Sequence, residues 1–159
     1  MRDLHTFISY RQDQSIARFQ GWQPDFSLEQ GIELIASQQG VFLPEPGEWL
    51  QLGIHKRESG EHMGDLAIHA VNAEADCYEL GFTIATAHQG NGYAQEAARA
   101  IISHLRARSA AKRFVANTDS RNLPSIKVLL ALGFELQPTR GWTETFKDEL
   151  VTMEYFETT

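Results

Sequence analysis

Residues 79–105 read ELGFTIATAHQGNGYAQEAARAIISHL, and the interpretation of the whole chain depends on this stretch. Leu80, Phe82 and Ile84 alternate with smaller or polar residues, which predicts a strand with one buried face. From Ala94 to Leu105 the apolar residues recur every three or four positions, which predicts a helix with one buried stripe. The stretch is therefore predicted to form a strand, a glycine turn and a helix.

The turn from Gln89 to Ala94 is where we expect the chemistry to be anchored. Two glycines two positions apart let the backbone take left-handed angles and approach a ligand closely. The amides at the helix start favour an anion such as a phosphate, by roughly 0.3–1 kcal/mol per charge when exposed. An ordinary tight turn explains the glycines equally well. A Rossmann fingerprint needs glycine in place of Gln95, and a Walker loop needs lysine after Gly92 instead of Tyr93, so both of these motifs are excluded.

Length, composition and charge limit the classes of protein to which this chain can belong. The chain has 159 residues, 42% of them hydrophobic and 22% charged, which is typical of one soluble globular domain. The formal charge of −7 argues against non-specific nucleic-acid binding and is compatible with a cationic substrate such as an amine. Cys77 is the only cysteine, so no intrachain disulfide can form. Since no leader or bilayer-spanning apolar run is found, a cytoplasmic location is the default expectation.

The rest of the chain predicts a mixed α/β sheet led by a helical segment. Short helical patterns follow Asp3 and surround Ile16, and Ser27 with Gln30 has the form of a capping box that starts another helix. Strands are predicted at residues 49–54, 62–69, 112–117, 133–136 and 142–156, the last with a break near 147–149, and residues 72–76 form a connection. No repeat or linker supports a second domain, so residues 1–159 are predicted to be one domain.

A second motif lies downstream of the glycine turn. Asn122 is a good N-cap, with Ser125 three residues later, and a helix is predicted to run on to Gly133 and Phe134. Taken alone, this block is only a capped helix.

Together the two motifs resemble the GNAT superfamily of acetyl-CoA-dependent N-acetyltransferases. Gln89, Gly92 and Ala94 match its Q/R-x-x-G-x-G/A signature, and the N-x-x-S…L-G-F block matches its second signature. The details look most like the ribosomal-protein-alanine acetyltransferase (RimJ/RimL) branch, over nearly the whole chain. The resemblance implies a GNAT fold of the α/β (α+β) class, with a mixed, mostly antiparallel central sheet flanked by helices.

Two departures from the family pattern are visible. Members of this branch usually begin with a strand ahead of the first helix, and the three residues before Leu4 leave no room for it, so either the sheet lacks that strand or the natural start lies upstream. Leu129 stands where many members carry a tyrosine that protonates the leaving thiolate, so another residue or water must fill that role.

The resemblance implies that acetyl-CoA is a cosubstrate and that no metal is needed. It assigns cofactor binding to the end of the first motif's strand, to the glycine turn and to the start of the second helix, namely Phe82, Thr83, Ile84, Gln89, Gly90, Asn91, Gly92, Tyr93, Ala94, Asn122 and Ser125. It also implies that a neutral amine attacks the thioester directly within a ternary complex. Holding the two substrates together can then contribute about 7–11 kcal/mol, whereas one acid or base adds only ~10²–10⁴-fold.

Glu79 is the candidate catalytic base by resemblance, and Ser125 the candidate partner of the departing sulfur. A solvated strand-end carboxylate is an equally good interpretation of Glu79. Three further side chains are weaker candidates for proton relay, namely His69, His88 and Tyr93. The tryptophans at positions 22, 49 and 142 are candidates for an acceptor pocket, although each is more simply a core residue.

The acceptor is the least determined part of the prediction. It is a primary amine, either a protein N-terminal α-amine or a small molecule such as a polyamine, aminoglycoside or amino acid derivative. A GNAT module that binds acyl-CoA without turnover is the rival function, supported only by Leu129. Acetyl-CoA and the amine acceptor are thus the predicted partners, with no nucleic acid and no membrane, and a homodimer is left open.

Overall fold

The computed structural model describes residues 3–71 and 76–159 of the chain. The helices are α1 (Leu4–Arg11), α2 (Gln14–Ala17), α3 (Leu28–Ser37), α4 (Tyr93–Arg108) and α5 (Leu123–Ala131). The strands are β1 (Trp49–His55), β2 (His62–Ala70), β3 (Cys77–Ile84), β4 (Arg113–Asp119), β5 (Glu135–Leu136), β6 (Trp142–Phe146) and β7 (Glu149–Thr158). The predicted connection at 72–76 lies outside the described residues except for its last position.

Local signals in the sequence start and stop these elements as predicted. The capping box of α3 is formed, because Ser27 Oγ accepts from the Gln30 amide at 3.1 Å and Gln30 Oε1 accepts from the Ser27 amide at 2.7 Å. The predicted break between the last two strands is a turn in which Lys147 and Asp148 both have positive φ, of 50° and 64°. Positive φ at both central residues matches the twist of a two-residue hairpin.

Within the described residues the strands form one mixed sheet in the order β1-β2-β3-β4-β7-β5, with β6 also paired to β7. All neighbours are antiparallel except β3 and β4, which are parallel. The predicted class, a mostly antiparallel mixed sheet flanked by helices, is therefore confirmed.

Each face of the sheet is covered by a separate group of helices. On one face, Leu50, Ile68, Leu80 and Phe114 pack with α4 and α5 in a single apolar cluster. On the other face, α1, α2 and α3 form a second cluster around Phe7. Because side chains alternate along a strand, neighbouring positions of β2 and β3 serve opposite faces. Leu80 belongs to the cluster under α4 and α5, so its neighbour Glu79 lies on the face under α1 to α3.

The edge of the sheet at β1 has no second strand beside it among the described residues. Instead the side chain of Gln38, at the end of α3, lies against it. Its Oε1 accepts from the Gln51 amide at 2.9 Å, and its Nε2 donates to the Trp49 carbonyl at 3.4 Å. An amide side chain thus satisfies backbone groups that a further strand would pair. No strand precedes Trp49 in the described part of the chain.

Candidate functional site

The parallel strands β3 and β4 stay together only at their start and then diverge. Their pairing ends where Glu79 lies opposite Val115. Beyond this point β3 stays paired with β2 as far as Ile84, and β4 stays paired with β7. The two facing edges are therefore left without a strand partner. Backbone N–H and C=O groups need partners, so this fork is suited to an extended ligand that carries its own amide groups.

Three predicted cofactor-binding residues lie along the open part of β3. Thr83 is buried, while Phe82 and Ile84 are half-buried. Their pairing with β2 uses only one edge of the strand. These residues therefore lie along the unpaired edge of the fork.

Glu79 lies at the closed end of the fork and is held there by two side chains. Its Oε1 accepts from Asn117 Nδ2 on β4 at 2.9 Å, and its Oε2 lies 3.2 Å from His69 Nδ1 on β2. Trp49 on β1 stacks on the imidazole of His69, with ring centroids 4.8 Å apart and planes 12° apart. Four strands thus contribute to one polar cluster, and Glu79 is not a freely solvated carboxylate.

The glycine turn has the predicted left-handed backbone. Gly90 and Gly92 have φ of 77° and 81°, and Gly92 is the N-cap of α4. A Cβ built on either glycine would meet no protein atom within 4 Å, so there is open space over the turn. No side chain caps α4. The first amides of this helix are therefore available to an anion, with the helix dipole behind them.

The polar side chains of the turn are used to hold its shape. Gln89 Nε2 donates to the Ile84 carbonyl at 2.9 Å, which ties the turn to the end of β3. Asn91 Nδ2 donates to the carbonyls of His88 and Gln89, at 3.1 and 3.0 Å. These bonds hold the shape of the turn. Of the remaining turn residues, Tyr93 is half-buried and Ala94 is buried.

The second motif forms the start of α5, as predicted. Asn122 is the N-cap, and its side chain accepts from the Ser125 amide at 3.3 Å. This bond uses the side-chain oxygen of Asn122, Oδ1. The Ser125 hydroxyl, in contrast, has no protein partner among the described residues. Leu129 is 1% exposed and packs in the core beneath α5. A tyrosine-like proton donor is therefore absent from that position.

The loop between α1 and α2 is tied to the end of β3. Thr86 Oγ1 donates to Asp13 Oδ2 at 2.7 Å, while Asp13 Oδ1 accepts from the amide and hydroxyl of Ser15. These bonds, first of all that from the Ser15 hydroxyl, lower the pKa of Asp13. The N-terminal helices are thereby fixed beside the strand that carries Glu79.

The β6–β7 turn reaches the same N-terminal segment from the other side. Lys147 Nζ donates to the carbonyls of Ala17 and Trp22. Burial lowers the pKa of Lys147. The Trp22 indole also donates to the Arg11 carbonyl at 3.1 Å and covers the Arg11 guanidinium. This turn is therefore tied to the end of α2 and to the segment that follows it.

A buried polar cluster lies further along the same face. Asp65 accepts from the Tyr10 hydroxyl and lies 3.3 Å from Arg11 Nη2. Burial raises the pKa of Asp65 and also that of Tyr10, while it lowers the pKa of the neighbouring His62. Because Tyr10 and Arg11 belong to α1 and Asp65 to β2, we assign this cluster to docking of the helix on the sheet.

Sequence reasoning did not identify Asn117, and it ranked His69 only as a weak relay candidate. Both lie on strands, and their contact with Glu79 depends on the register of β2, β3 and β4. His88, the other candidate histidine, instead pairs with Glu61 at 3.3 Å. Two of the candidate tryptophans are largely exposed: Trp49, at 43%, stacks on His69 beside Glu79, and Trp142, at 38%, lies on β6.

No helix within residues 3–71 and 76–159 is long and apolar enough to cross a bilayer. In the same ranges, no three His, Cys, Asp or Glu side chains converge as metal ligands would.

Comparison with known proteins gives one family and several similar folds. A family model described as acetyltransferase (GNAT) domain matches residues 1–135. The uncharacterized N-acetyltransferase YoaA of Bacillus subtilis is 25% identical over 134 residues, which span 84% of this chain and 75% of YoaA. Spermidine N-acetyltransferase from Vibrio cholerae, solved with CoA and spermine, is 14% identical with a TM-score of 0.81, covering 99% of this chain and 89% of that one. RimL, a ribosomal-protein alpha-N-acetyltransferase solved with coenzyme A, is 18% identical with a TM-score of 0.77, covering 99% of this chain and 86% of RimL. At these identities the two solved structures show a shared fold.

Proposed function

The chain belongs to the acetyltransferase (GNAT) domain family, and we propose that it transfers an acetyl group from acetyl-CoA to a primary amine. One observation carries this proposal. The uncapped amino end of α4, opened by Gly90 and Gly92, lies at the end of the same strand whose unpaired edge leads back to Glu79. The amino end of α4, suited to an anion, and the polar cluster around Glu79 therefore lie at the two ends of one unpaired strand edge, which is suited to an extended molecule.

The residues present fit the acyl donor. We propose that backbone amides from Gly90 to Ala94 hold its pyrophosphate, with Gln89 and Asn91 fixing the turn from behind. The edge of Phe82, Thr83 and Ile84 would pair with the pantetheine amides, since this edge has no strand partner. Asn122 and Ser125 would lie near the sulfur end. The donor supplies the activated acetyl group, and the protein supplies the positioning.

Ser125 is the proposed catalytic partner of the departing sulfur, and Glu79 is proposed to serve the proton transfer from the amine, directly or through a neighbouring side chain. The hydrogen bonds to Asn117 and His69 hold the Glu79 carboxylate at the closed end of the fork. The Ser125 hydroxyl is free to donate to a departing thiolate, and it takes the place of the hydroxyl that Leu129 lacks. Most of the rate enhancement would come from joining the substrates, which can contribute about 7–11 kcal/mol.

A protein N-terminal α-amine, as in the RimJ/RimL branch, is the proposed acceptor. An α-amine has a pKa near 7.7–8.0 against about 10.4 for lysine, so roughly a tenth of it is already neutral at pH 7. A base therefore does not have to deprotonate the amine before attack, and only has to accept the proton that nitrogen releases once the N–C bond forms. RimL is among the similar folds, which supports this choice. The alternative acceptor is a small polycationic amine, supported by the similarity to spermidine N-acetyltransferase and by the net charge of −7.

The remaining alternative is a module that binds acyl-CoA without turnover. Buried Leu129, where many members of the family carry a tyrosine, is the observation in its favour. Against it, Glu79 is held in a polar cluster that binding alone does not require. Release of free thiol in the presence of an amine separates the two.

Two wider proposals go with this function. Residues 1–159 are proposed to form one acetyltransferase domain, because β7 follows the matched residues 1–135 and pairs with β4 in the same sheet. A cytoplasmic location is proposed from the cysteine content, with its single thiol.

The test combines binding with turnover. Acetyl-CoA is titrated into the chain by calorimetry, and free thiol is then followed with a peptide that has a free α-amine, the same peptide N-acetylated, and spermidine. We expect binding, and thiol release with the free peptide but not with its acetylated control. Thiol release with spermidine but not with the peptide would indicate that the acceptor is a small amine. Binding with no thiol release from any amine would favour the non-catalytic module, and no binding by a folded chain would refute the proposal.

A further inference from the structure

The hydrogen bonds around Glu79 determine the tautomer of His69. An ionised carboxylate can only accept hydrogen bonds, so both of its neighbours must act as donors. Asn117 Nδ2 donates to Glu79 Oε1, and His69 Nδ1 lies 3.2 Å from Glu79 Oε2. The proton of a neutral His69 is therefore on Nδ1, and Nε2 carries a lone pair.

This lone pair is free, and the ring that carries it is held in place. Among the described residues, no protein group bonds to His69 Nε2. The ring plane is fixed by the parallel stacking of Trp49 at 4.8 Å, and the side chain is 20% exposed, so a substrate or a water molecule can reach it. A base of this kind needs a partner within hydrogen-bond reach, directly or through one water.

Glu79 is less suited to take a proton itself. Both of its oxygens already have a neighbouring side chain as hydrogen-bond partner, whereas His69 Nε2 has no protein partner among the described residues. The same two bonds make it an effective support for the imidazole. In a catalytic triad, a carboxylate likewise orients a histidine base and stabilises its protonated form.

We propose that His69 Nε2 is the proton acceptor of the acetyl transfer, and that Glu79 is the residue that positions it; this rests on the function proposed above. The amine lone pair forms the N–C bond to the thioester carbonyl, and the C–S bond breaks with its electron pair leaving on sulfur. The proton released by nitrogen moves to Nε2 and passes from there, through water or Ser125, to the thiolate. The products are one N-acetylated amine and one free thiol.

The first test measures the tautomer without any substrate. In a long-range proton–nitrogen NMR spectrum of the neutral ring, we expect His69 Nδ1 to be protonated and Nε2 to have the shift of an unprotonated nitrogen. The opposite tautomer would overturn the inference. Glu79→Gln is expected to change this spectrum, because a carboxamide cannot accept from His69 and Asn117 in the same way.

The second test uses His69→Asn, whose amide can still donate to Glu79 from the position of Nδ1 but has no basic nitrogen. We expect thiol release from acetyl-CoA to fall by ~10²–10⁴-fold, with acetyl-CoA affinity unchanged. The acceptor in this assay is the amine that gives the fastest thiol release in the test of the proposed function, or water if the protein uses none of those amines. His69→Gly is expected to recover part of its activity in added imidazole, which a merely structural role would not produce.

His55→Asn is the matched control, since His55 also pairs with a carboxylate, that of Asp3, at 3.1 Å. We expect it to keep the parent rate. His69→Asn activity within threefold of the parent would return the base role to Glu79 and overturn the inference, even with the proposed function intact. A parent chain that neither binds nor cleaves acetyl-CoA would refute the proposed function itself, and the NMR result would still report the tautomer.

Discussion

Substitution of Gly92 by alanine separates the backbone cost of the glycine turn from its role in binding. Gly92 has φ of 81°, and a Cβ there would meet no protein atom within 4 Å. The cost of the substitution is therefore the left-handed backbone alone, roughly 1–2 kcal/mol. For a chain of this size that corresponds to a fall in Tm of about 2–8 °C.

Gly40 offers a matched control on the opposite side of the sheet. It follows α3 with φ of 76°, and a Cβ there would also meet no protein atom within 4 Å. Gly40→Ala should thus lower Tm by the same amount as Gly92→Ala. Both changes are measured by thermal unfolding followed by circular dichroism.

Only Gly92→Ala should weaken the binding of acetyl-CoA. Helix-end stabilisation of about 0.3–1 kcal/mol per charge, over two pyrophosphate charges, amounts to roughly 0.6–2 kcal/mol. This is a loss of about 3- to 30-fold in affinity, measured by calorimetry. Equal affinity of the two variants, each still folded, would refute the assignment of the glycine turn to the pyrophosphate.

Three further results are expected. Glu79→Gln should lower kcat by ~10²-fold or more, because it removes the support of the base, and steady-state thiol release measures this; a rate close to that of the parent would contradict the role of Glu79. Gly64→Ala should cost about 1–3 kcal/mol or more in urea unfolding, since its Cβ would lie 2.1 Å from the Thr83 carbonyl oxygen, and an unchanged midpoint would contradict this register. Hydrogen bonds from Arg121 lower the pKa of Asp119, so its stabilisation is present above the unfolded value of about 4 and is lost as pH falls through the folded value. Asp119→Asn should therefore flatten the fall in unfolding free energy below about pH 4, and an unaltered acid slope would count against it.

Local structure was predictable because its causes are local. The strand, glycine turn and helix of residues 79–105, the capping box at Ser27 and the N-cap at Asn122 all depend on residues within a few positions of one another. Alternation, helical periodicity and capping chemistry act over this range, so they do not depend on tertiary contacts. The family signatures lie in the same short segments, which is why the fold class followed from them.

The fork between β3 and β4 depended on tertiary structure. Each strand is a simple alternating segment in the sequence. Only the pairing of β3 with β2 and of β4 with β7 shows that their facing edges separate after Glu79. Strand order is set by how the whole sheet buries its two faces, and no single segment contains that information.

The sequence by itself determined the family, the glycine turn and the position of Glu79 at the start of its strand. Tertiary structure alone decided what surrounds that carboxylate. His69 lies 10 residues before Glu79 and Asn117 lies 38 residues after it, and strand register brings both within hydrogen-bond distance. A shift of register by one residue would turn these side chains to the other face of the sheet. The chemistry of Glu79 is therefore a property of the folded sheet, whereas the turn that anchors the donor is a property of six consecutive residues.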